Sequence, residues 1–158
     1  MSKLAPRPPR PLKDRRHFAI VASLFNSQYV DGLVEHASKE LRALSPSADI
    51  TLNRVAGAFE IPIVVREIAA GKKADAILAL GVILQGQTSH AQNLARSVTD
   101  ALQQIALEHG APVINAVLSM ETEAQARERC LGSKINRGVE AARAAVQIAE
   151  VMRGLRRK

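Results

Sequence analysis

Residues 85–90, Gln-Gly-Gln-Thr-Ser-His, combine types that can bind a phosphate and transfer a proton. Gly86 permits a tight turn or a close approach of the backbone to a ligand. Thr88 and Ser89 follow where a helix is expected to begin, and the unpaired N–H groups of a helix N-terminus suit a phosphate. His90 in the first turn can donate or accept a proton near neutral pH, although a lone histidine at a helix start is usually a hydrogen-bonded structural residue. The spacing alone therefore indicates a phosphorylated small molecule and proton transfer.

A second group of residues could clamp the same phosphate. It consists of basic residues late in the chain: Arg127, Arg129, Lys134 and Arg137. The chain has neither a Gly-x-Gly-x-x-Gly fingerprint nor a Walker loop, which disfavours dinucleotide and ATP binding. Its single cysteine, Cys130, excludes an internal disulfide and a multi-cysteine metal cage.

Composition sets the broad class of protein. The chain has 158 residues, 47% of them hydrophobic, which suits one globular domain. It shows no run of about 18 apolar residues and no secretory signal, so we expect a cytoplasmic protein. The net charge is +7, and basic residues crowd both ends. Such blocks are usually solvated tails. With 3% aromatic residues, side chains on which nucleic-acid bases could stack are scarce, so we do not expect nucleic acid as a partner.

The elements that must position these residues alternate along the chain. We expect a basic, proline-rich tail over residues 1–16, extended or disordered, and one domain over 17–158. Strands are predicted at 17–24, 50–55, 75–84 and 112–118, and helices at 27–44, 60–70, 89–109, 122–130 and 139–152. Continuous apolar strands between helices predict a three-layer α/β/α sandwich with a four-stranded parallel sheet, of the flavodoxin-like class.

Ligands of such sheets bind beyond the carboxyl ends of the strands, so the loops after the four strands are where chemistry is expected. The first is Phe25-Asn26, the second spans 56–60, the third is 85–90 and the fourth is 119–121. Two of the three phenylalanines, Phe25 and Phe59, lie in these loops. From composition alone, both are interpreted as ordinary core residues.

These loops and the segments around them carry motifs found together in one enzyme family. They are Phe25-Asn26, Gly57-Ala58-Phe59-Glu60-Ile61-Pro62, Ala79-Leu80-Gly81-Val82-Ile83, Gly86-x-Thr88-x-His90, Gly110-x-Pro112-Val113, Glu123-x-Gln125-Ala126-x-x-Arg129 and Asn136-x-Gly138-x-Glu140-Ala141-Ala142. In order and spacing, from about residue 18 to the end, the chain resembles the lumazine synthases of riboflavin biosynthesis.

The resemblance implies a reaction and an assembly. Lumazine synthases condense 5-amino-6-ribitylaminouracil with 3,4-dihydroxy-2-butanone 4-phosphate and release phosphate, water and 6,7-dimethyl-8-ribityllumazine, with no cofactor or metal. They form pentamers with active sites between adjacent subunits, and in many members twelve pentamers close into an icosahedral shell. We therefore expect the chain to form a homopentamer and a dodecamer of pentamers, and to associate with riboflavin synthase. The absence of an insertion between Arg129 and Gly138 favours the shell, whereas Ile135 in place of the usual glycine weakens that expectation.

The resemblance also implies roles for individual residues. His90 would be the general acid/base. The pyrimidine and ribityl pocket would be lined by Phe25, Ala58, Phe59, Glu60, Val82, Ile83, Leu84 and Asn115. The butanone phosphate would be held by Gln87 and Thr88 and by Arg129 from the neighbouring subunit. Arg137 is a further candidate.

Several positions depart from the family pattern and motivate a second hypothesis. The family usually has Arg, an acidic residue and an aspartate where this chain has Gln85, Gln87 and Gln92, and a phenylalanine where it has Asn115. Ala91 replaces a common aromatic. The alternative to an active enzyme is a non-catalytic paralogue that forms the same assembly and binds flavin or lumazine. A third interpretation is association of the basic ends with nucleic acid, whose signature is strong salt dependence.

Overall fold

The computed structural model describes residues 7–157, in which strands and helices alternate. The strands are β1 (His17–Ser23), β2 (Asp49–Val55), β3 (Ala76–Leu84) and β4 (Val113–Met120). The helices are α1 (Ser27–Leu44), α2 (Ile61–Ala70), α3 (His90–His109), α4 (Glu123–Leu131) and α5 (Arg137–Arg156). A short 3-10 turn, Ala58–Glu60, leads directly into α2.

The four strands form one parallel sheet in the order β2-β1-β3-β4. The register pairs Ser23 with Val55 and Leu84 with Met120, so the carboxyl ends of these strands lie together at one end of the sheet. The chain runs outward from β1 to β2 and then returns to β3 on the other side of β1. The sheet therefore has a topological switch between β1 and β3, which is where open α/β sheets bind their ligands.

Helices cover both faces of the sheet, which confirms the predicted three-layer sandwich. One face packs against α1 and α5 and the other against α2 and α3. Strand β3 shows why the sequence folds this way. Eight of its nine residues are buried, with Leu78 and Leu80 in one core and Ile77 and Ala79 in the other. A strand with apolar side chains on both faces buries all of them only when helices cover both faces of the sheet.

Element ends differ from the predictions by a few residues, for local reasons. Strand β4 runs two residues further than predicted, because its pairing with β3 continues to Met120. Helix α5 begins at Arg137 rather than Val139, because the side chain of Asn136 caps its first turn. The predicted cap of α4 is confirmed, since the Thr122 hydroxyl accepts a hydrogen bond from the Gln125 N–H over 3.2 Å.

The described part of the N-terminal segment, residues 7–16, contains no helix or strand and packs at its end onto the domain. Leu12 is buried, and its N–H donates to the Leu44 carbonyl over 2.7 Å. Arg16 is only 6% exposed and forms ion pairs with Asp14, Asp75 and Glu150. Residues 1–6 of the predicted tail lie outside the described residues, so a separate tail over 1–16 stays a prediction. Across residues 7–157, no helix is long and apolar enough to cross a membrane.

Candidate active site

A cavity of about 480 Å³ lies at the carboxyl ends of β1, β2 and β3, at the topological switch of the sheet. Its walls come from three strand ends and the first turns of α3. The lining residues are Phe25, Asn26, Gly57, Ala58, Phe59, Val82, Ile83, Leu84, His90, Ala91 and Leu94. The volume is within the range of small-molecule sites, which are mostly apolar with a few polar groups.

The loop after β1 is fixed to both neighbouring strands. The N–H of Leu24 donates to the Val55 carbonyl over 2.8 Å, and the N–H of Phe25 donates to the Ala56 carbonyl over 3.1 Å. The Asn26 side chain donates from Nδ2 to the Val82 carbonyl over 2.8 Å. Asn26 itself has a φ of 55°, in the left-handed region that asparagine tolerates better than most residues. The chain therefore turns sharply after β1 and holds Phe25 over the cavity.

Both phenylalanines of these loops are exposed. Phe25 is 74% exposed and Phe59 is 68% exposed, and both line the cavity. The interpretation of these residues as core, drawn from composition, is therefore wrong. Phe18 is the buried phenylalanine of the core, at 0% exposure. Two large aromatic side chains left open to solvent at one cavity are typical of a binding surface.

Glu60 stabilises the loop that carries Phe59. Its Oε2 accepts a hydrogen bond from the N–H of Gly57 over 2.8 Å, closing the 3-10 turn. Glu60 is exposed beside the cavity but does not line it. The carboxylate thus holds the second loop and leaves its other oxygen, Oε1, as an acceptor for a ligand hydroxyl.

The third loop leads into α3 and leaves its N-terminus open. Ser89 is the N-cap residue and makes no side-chain cap hydrogen bond. A Cβ atom placed on Gly86 would meet nothing within 4 Å, so the backbone there is accessible. Gln87 and Thr88 are exposed and lie outside the cavity lining. The first N–H groups of a 20-residue helix thus face an open surface next to the cavity, an arrangement that suits an anion.

His90 is exposed at the start of α3 and lines the cavity. Within residues 7–157 its ring has no hydrogen-bond partner. The interpretation of this histidine as a hydrogen-bonded structural residue therefore finds no support, and the imidazole is free to exchange a proton with a bound molecule.

Arg129, Asn115 and Arg137 lie away from this cavity within one chain. Asn115, on the edge strand β4, donates from Nδ2 to the Thr99 hydroxyl over 3.1 Å and accepts from the Val117 N–H over 3.0 Å. Arg137 forms an ion pair with Glu140, and both line a separate cleft beside Asn115. Arg129 is half-buried on α4, with a buried Nε that has no hydrogen-bond partner. These three residues do not complete the cavity of their own chain.

Four lining residues were not predicted as site residues: Asn26, Gly57, Ala91 and Leu94. Asn26 could have been found, because a polar residue directly after a buried strand is a recognisable signal at a strand end. Leu94 gives no such signal, since its apolar side chain fits the inner face of a helix equally well. No group of three or more His, Cys, Asp or Glu side chains that could hold a metal ion occurs in residues 7–157.

Comparisons with known proteins give one consistent result. Residues 15–153 match the family model described as 6,7-dimethyl-8-ribityllumazine synthase. The chain is 40% identical over 145 residues to the 6,7-dimethyl-8-ribityllumazine synthase of Halorhodospira halophila, covering 91% of this chain and 92% of that protein. It is 40% identical over 139 residues to the enzyme of that name from Streptomyces coelicolor, covering 87% and 85% of the two chains. The Aquifex aeolicus enzyme is 39% identical over 140 residues, covering 88% and 91%.

Proposed function

The chain belongs to the 6,7-dimethyl-8-ribityllumazine synthase family, and we propose that the cavity between Phe25, Phe59 and His90 is its active site. The protein is a transferase of riboflavin biosynthesis. It condenses 5-amino-6-(D-ribitylamino)uracil with 3,4-dihydroxy-2-butanone 4-phosphate to 6,7-dimethyl-8-ribityllumazine.

One observation supports the assignment of the pyrimidine pocket. Two exposed phenylalanines line a single cavity whose third wall is the end of β3. We propose that Phe25 stacks on the pyrimidine ring, that Ala58, Phe59 and Glu60 contact the ribityl chain, and that residues 82–84 contact the ring. An aromatic face favours a flat heterocycle, and free backbone groups at a strand end can bond its polar edge. The Glu60 carboxylate can accept hydroxyl hydrogen bonds from the ribityl chain.

The phosphate and proton-transfer roles are assigned to the start of α3. Gln87 and Thr88 would hold the phosphate of the butanone, a role supported by the uncapped N-terminus of this helix. His90 would act as general acid/base. It can take a proton from the uracil amine as that amine adds to the ketone, and return one to the oxygen that leaves as water when the imine forms. Loss of phosphate then needs a base to remove a proton and a site that stabilises the departing phosphate anion. His90 and the N-terminus of α3 would supply these two functions.

We propose that the site is completed by a second copy of the chain in a homopentamer. Arg129 and Asn115 lie outside the cavity of their own chain, and β4, which carries Asn115, is an edge strand. A neighbouring subunit could bring both residues to the cavity, with Arg129 pairing with the phosphate as a charge-assisted donor and Arg137 as a further contact. Twelve pentamers forming a shell, a cytoplasmic location and an association with riboflavin synthase are further parts of this proposal.

The non-catalytic alternative receives no support from the comparisons, because the relatives named above are enzymes of one name. The acid/base histidine also lies at the cavity, and the phosphate arginine is retained in the sequence. Gln87 and Asn115 are therefore interpreted as changes in how substrates are held.

A spectroscopic assay with both substrates tests the site. We expect formation of the lumazine chromophore well above the uncatalysed background, and a loss of rate in Arg129→Ala that higher concentrations of the butanone phosphate partly restore. The control is Arg42→Ala, which removes an exposed arginine from the last turn of α1, at the opposite end of the sheet from the cavity. Equal effects of the two substitutions would contradict the phosphate role of Arg129.

Light scattering combined with sedimentation tests the assembly. A mass of five chains or a multiple of five is expected, and a mass near that of sixty chains would support the shell. A monomer that turns over both substrates would contradict the shared site. Co-purification of riboflavin synthase with the assembly tests the proposed association.

A further inference from the structure

Asn136 makes an unusual set of hydrogen bonds between α4 and α5. The residue is 5% exposed. Its Nδ2 donates to the carbonyls of Cys130 and Gly132, each over 3.0 Å. Its Oδ1 accepts from the N–H groups of Gly138 and Val139, over 2.9 and 3.2 Å. The amide orientation is fixed by its partners, because two carbonyl groups require the nitrogen and two N–H groups require the oxygen.

The two halves of this side chain serve different helices. Oδ1 caps the N-terminus of α5, a common role of asparagine. Nδ2 binds two carbonyls at the C-terminal end of α4, groups that a helix leaves without internal partners. One buried carboxamide therefore fixes the end of α4 relative to the start of α5. A cap of α5 alone would need only the oxygen.

Close packing against α1 fixes the same end of α4 from the other side. A Cβ atom on Gly32 of α1 would lie 2.8 Å from the Cys130 carbonyl oxygen and 2.4 Å from the Leu131 side chain. A Cβ atom on Gly138 would lie 2.5 Å from the Leu33 carbonyl oxygen. The backbone at the end of α4 is thus enclosed between α1 and the Asn136 side chain, with no room to shift toward α1.

Arg129 is the residue immediately before this clamp. Its backbone adjoins Cys130, whose carbonyl accepts from Asn136, and its own Nε is buried without a hydrogen-bond partner. A guanidinium binds a phosphate well only when its planar set of donors meets the oxygens in a fixed orientation. The direction in which Arg129 leaves the helix depends on how the last turn of α4 is held.

We propose that Asn136 is a positioning residue for Arg129, and that its carboxamide holds the last turn of α4 so that the guanidinium meets the substrate phosphate. This inference rests on the proposed role of Arg129. It gives the Asn136-x-Gly138 motif a function in the reaction beyond capping α5.

The substitution Asn136→Asp separates the two halves of the side chain. Aspartate is as good an N-cap as asparagine, so the bonds to Gly138 and Val139 are kept. The second carboxylate oxygen faces the carbonyls of Cys130 and Gly132 where a donor stood, which replaces two hydrogen bonds by repulsion. We expect the KM for the butanone phosphate to rise about tenfold, within the range that misplacement of a positioned group produces. The KM for the pyrimidine should stay within about twofold of the parent value.

Two controls separate positioning from general damage. Val146→Ala, at a buried position of α5, removes core packing and leaves every Asn136 bond in place. It should lower the melting temperature without changing the ratio of the two KM values. In an Arg129→Ala background, Asn136→Asp should cause no further change in the KM for the butanone phosphate, because the group it positions is absent.

The possible results are distinct. If Asn136→Asp changes both KM values equally, or still acts in the Arg129→Ala background, Asn136 does not work through Arg129 and the inference is overturned. If Arg129→Ala alone leaves the KM for the butanone phosphate unchanged, the proposed phosphate role fails as well, which identifies the step in error. If Asn136→Asp does not fold, Asn136→Ser carries the same expectation, since serine caps α5 but is too short to replace both donor bonds to α4.

Discussion

Substitution of Phe25 by alanine should weaken pyrimidine binding while leaving the fold intact. Phe25 is 74% exposed, so about 150 Å² of its surface is open to solvent if a whole phenylalanine presents ~200 Å². A ring stacked on one face covers about half of that surface. At ~25 cal/mol per Å² this burial contributes about 2 kcal/mol, or a change of roughly 20-fold in the dissociation constant. Isothermal titration with the pyrimidine substrate measures this constant directly.

The adjacent Leu24 provides the matched control. It is 55% exposed and, unlike Phe25, does not line the cavity. Leu24→Ala removes a similar apolar side chain from the same loop and should change the dissociation constant by less than about twofold. The free energy of unfolding of both variants should lie within about 0.5 kcal/mol of the parent value, as is usual for substitutions at exposed positions. Equal loss of binding in the two variants, or strong destabilisation by Phe25→Ala alone, would refute the assignment of this ring to substrate stacking.

Three further predictions concern single residues. His90→Ala should slow turnover by about 10²- to 10⁴-fold if the imidazole is the general acid/base, and unchanged single-turnover rates would reject that role. Arg16→Met should lower the free energy of unfolding, measured with urea, by roughly 2 kcal/mol, because Asp75 loses this ion pair and Asp14 and Glu150 keep only their ion pairs with Arg153. Arg15→Met should cost under about 0.5 kcal/mol, because Arg15 is 76% exposed in its ion pair with Asp49. Burial raises the pKa of the Cys130 thiol from 9.0 to about 11, so the folded state keeps a proton that the unfolded chain loses as the pH passes 9. The free energy of unfolding should therefore fall by about 2 kcal/mol between pH 9 and 11. When it is measured by urea titration at several pH values, it should fall less steeply with pH in Cys130→Ala.

The fold was predictable because its signals are local and repeated. Strand β3 is apolar at every position, and that pattern requires helices on both faces of a parallel sheet. Strand order was not predictable in this way, since it depends on which helices pack on which face. The burial of Arg16 was also missed. It sits in a basic, proline-rich stretch that looks solvated, and its three carboxylate partners come from as far along the chain as Glu150.

The candidate site was predictable in position but not in detail. Parallel topology places the carboxyl ends of all four strands at the same end of the sheet, so Phe25 and His90 could be expected there, whereas the pairing of β1 with β3 that makes them neighbours is known only from the structure. Composition gave the wrong environment for Phe25, because hydrophobic character alone does not distinguish a core side chain from one that awaits a flat ligand. Arg129 and Asn115 could not be placed by any single-chain reasoning, since their cavity partners are expected on a second copy.

Two of the departures from the family pattern, Gln85 and Gln92, contact each other in the structure. Gln92 of α3 donates from Nε2 to Oε1 of Gln85 over 3.4 Å, and Gln85 donates from Nε2 to the Ser119 hydroxyl over 3.1 Å. The resemblance gives arginine and aspartate as the usual residues at these two positions, whereas in this chain two neutral side chains join the first turn of α3 to the ends of β3 and β4. Neither glutamine has the charge of the residue that is usual at its position in the family. Because Gln85 and Gln92 are hydrogen-bonded to each other, the first turn of α3 is connected to the strand ends beside His90, and a hydrogen bond between amides should be less sensitive to salt than an ion pair.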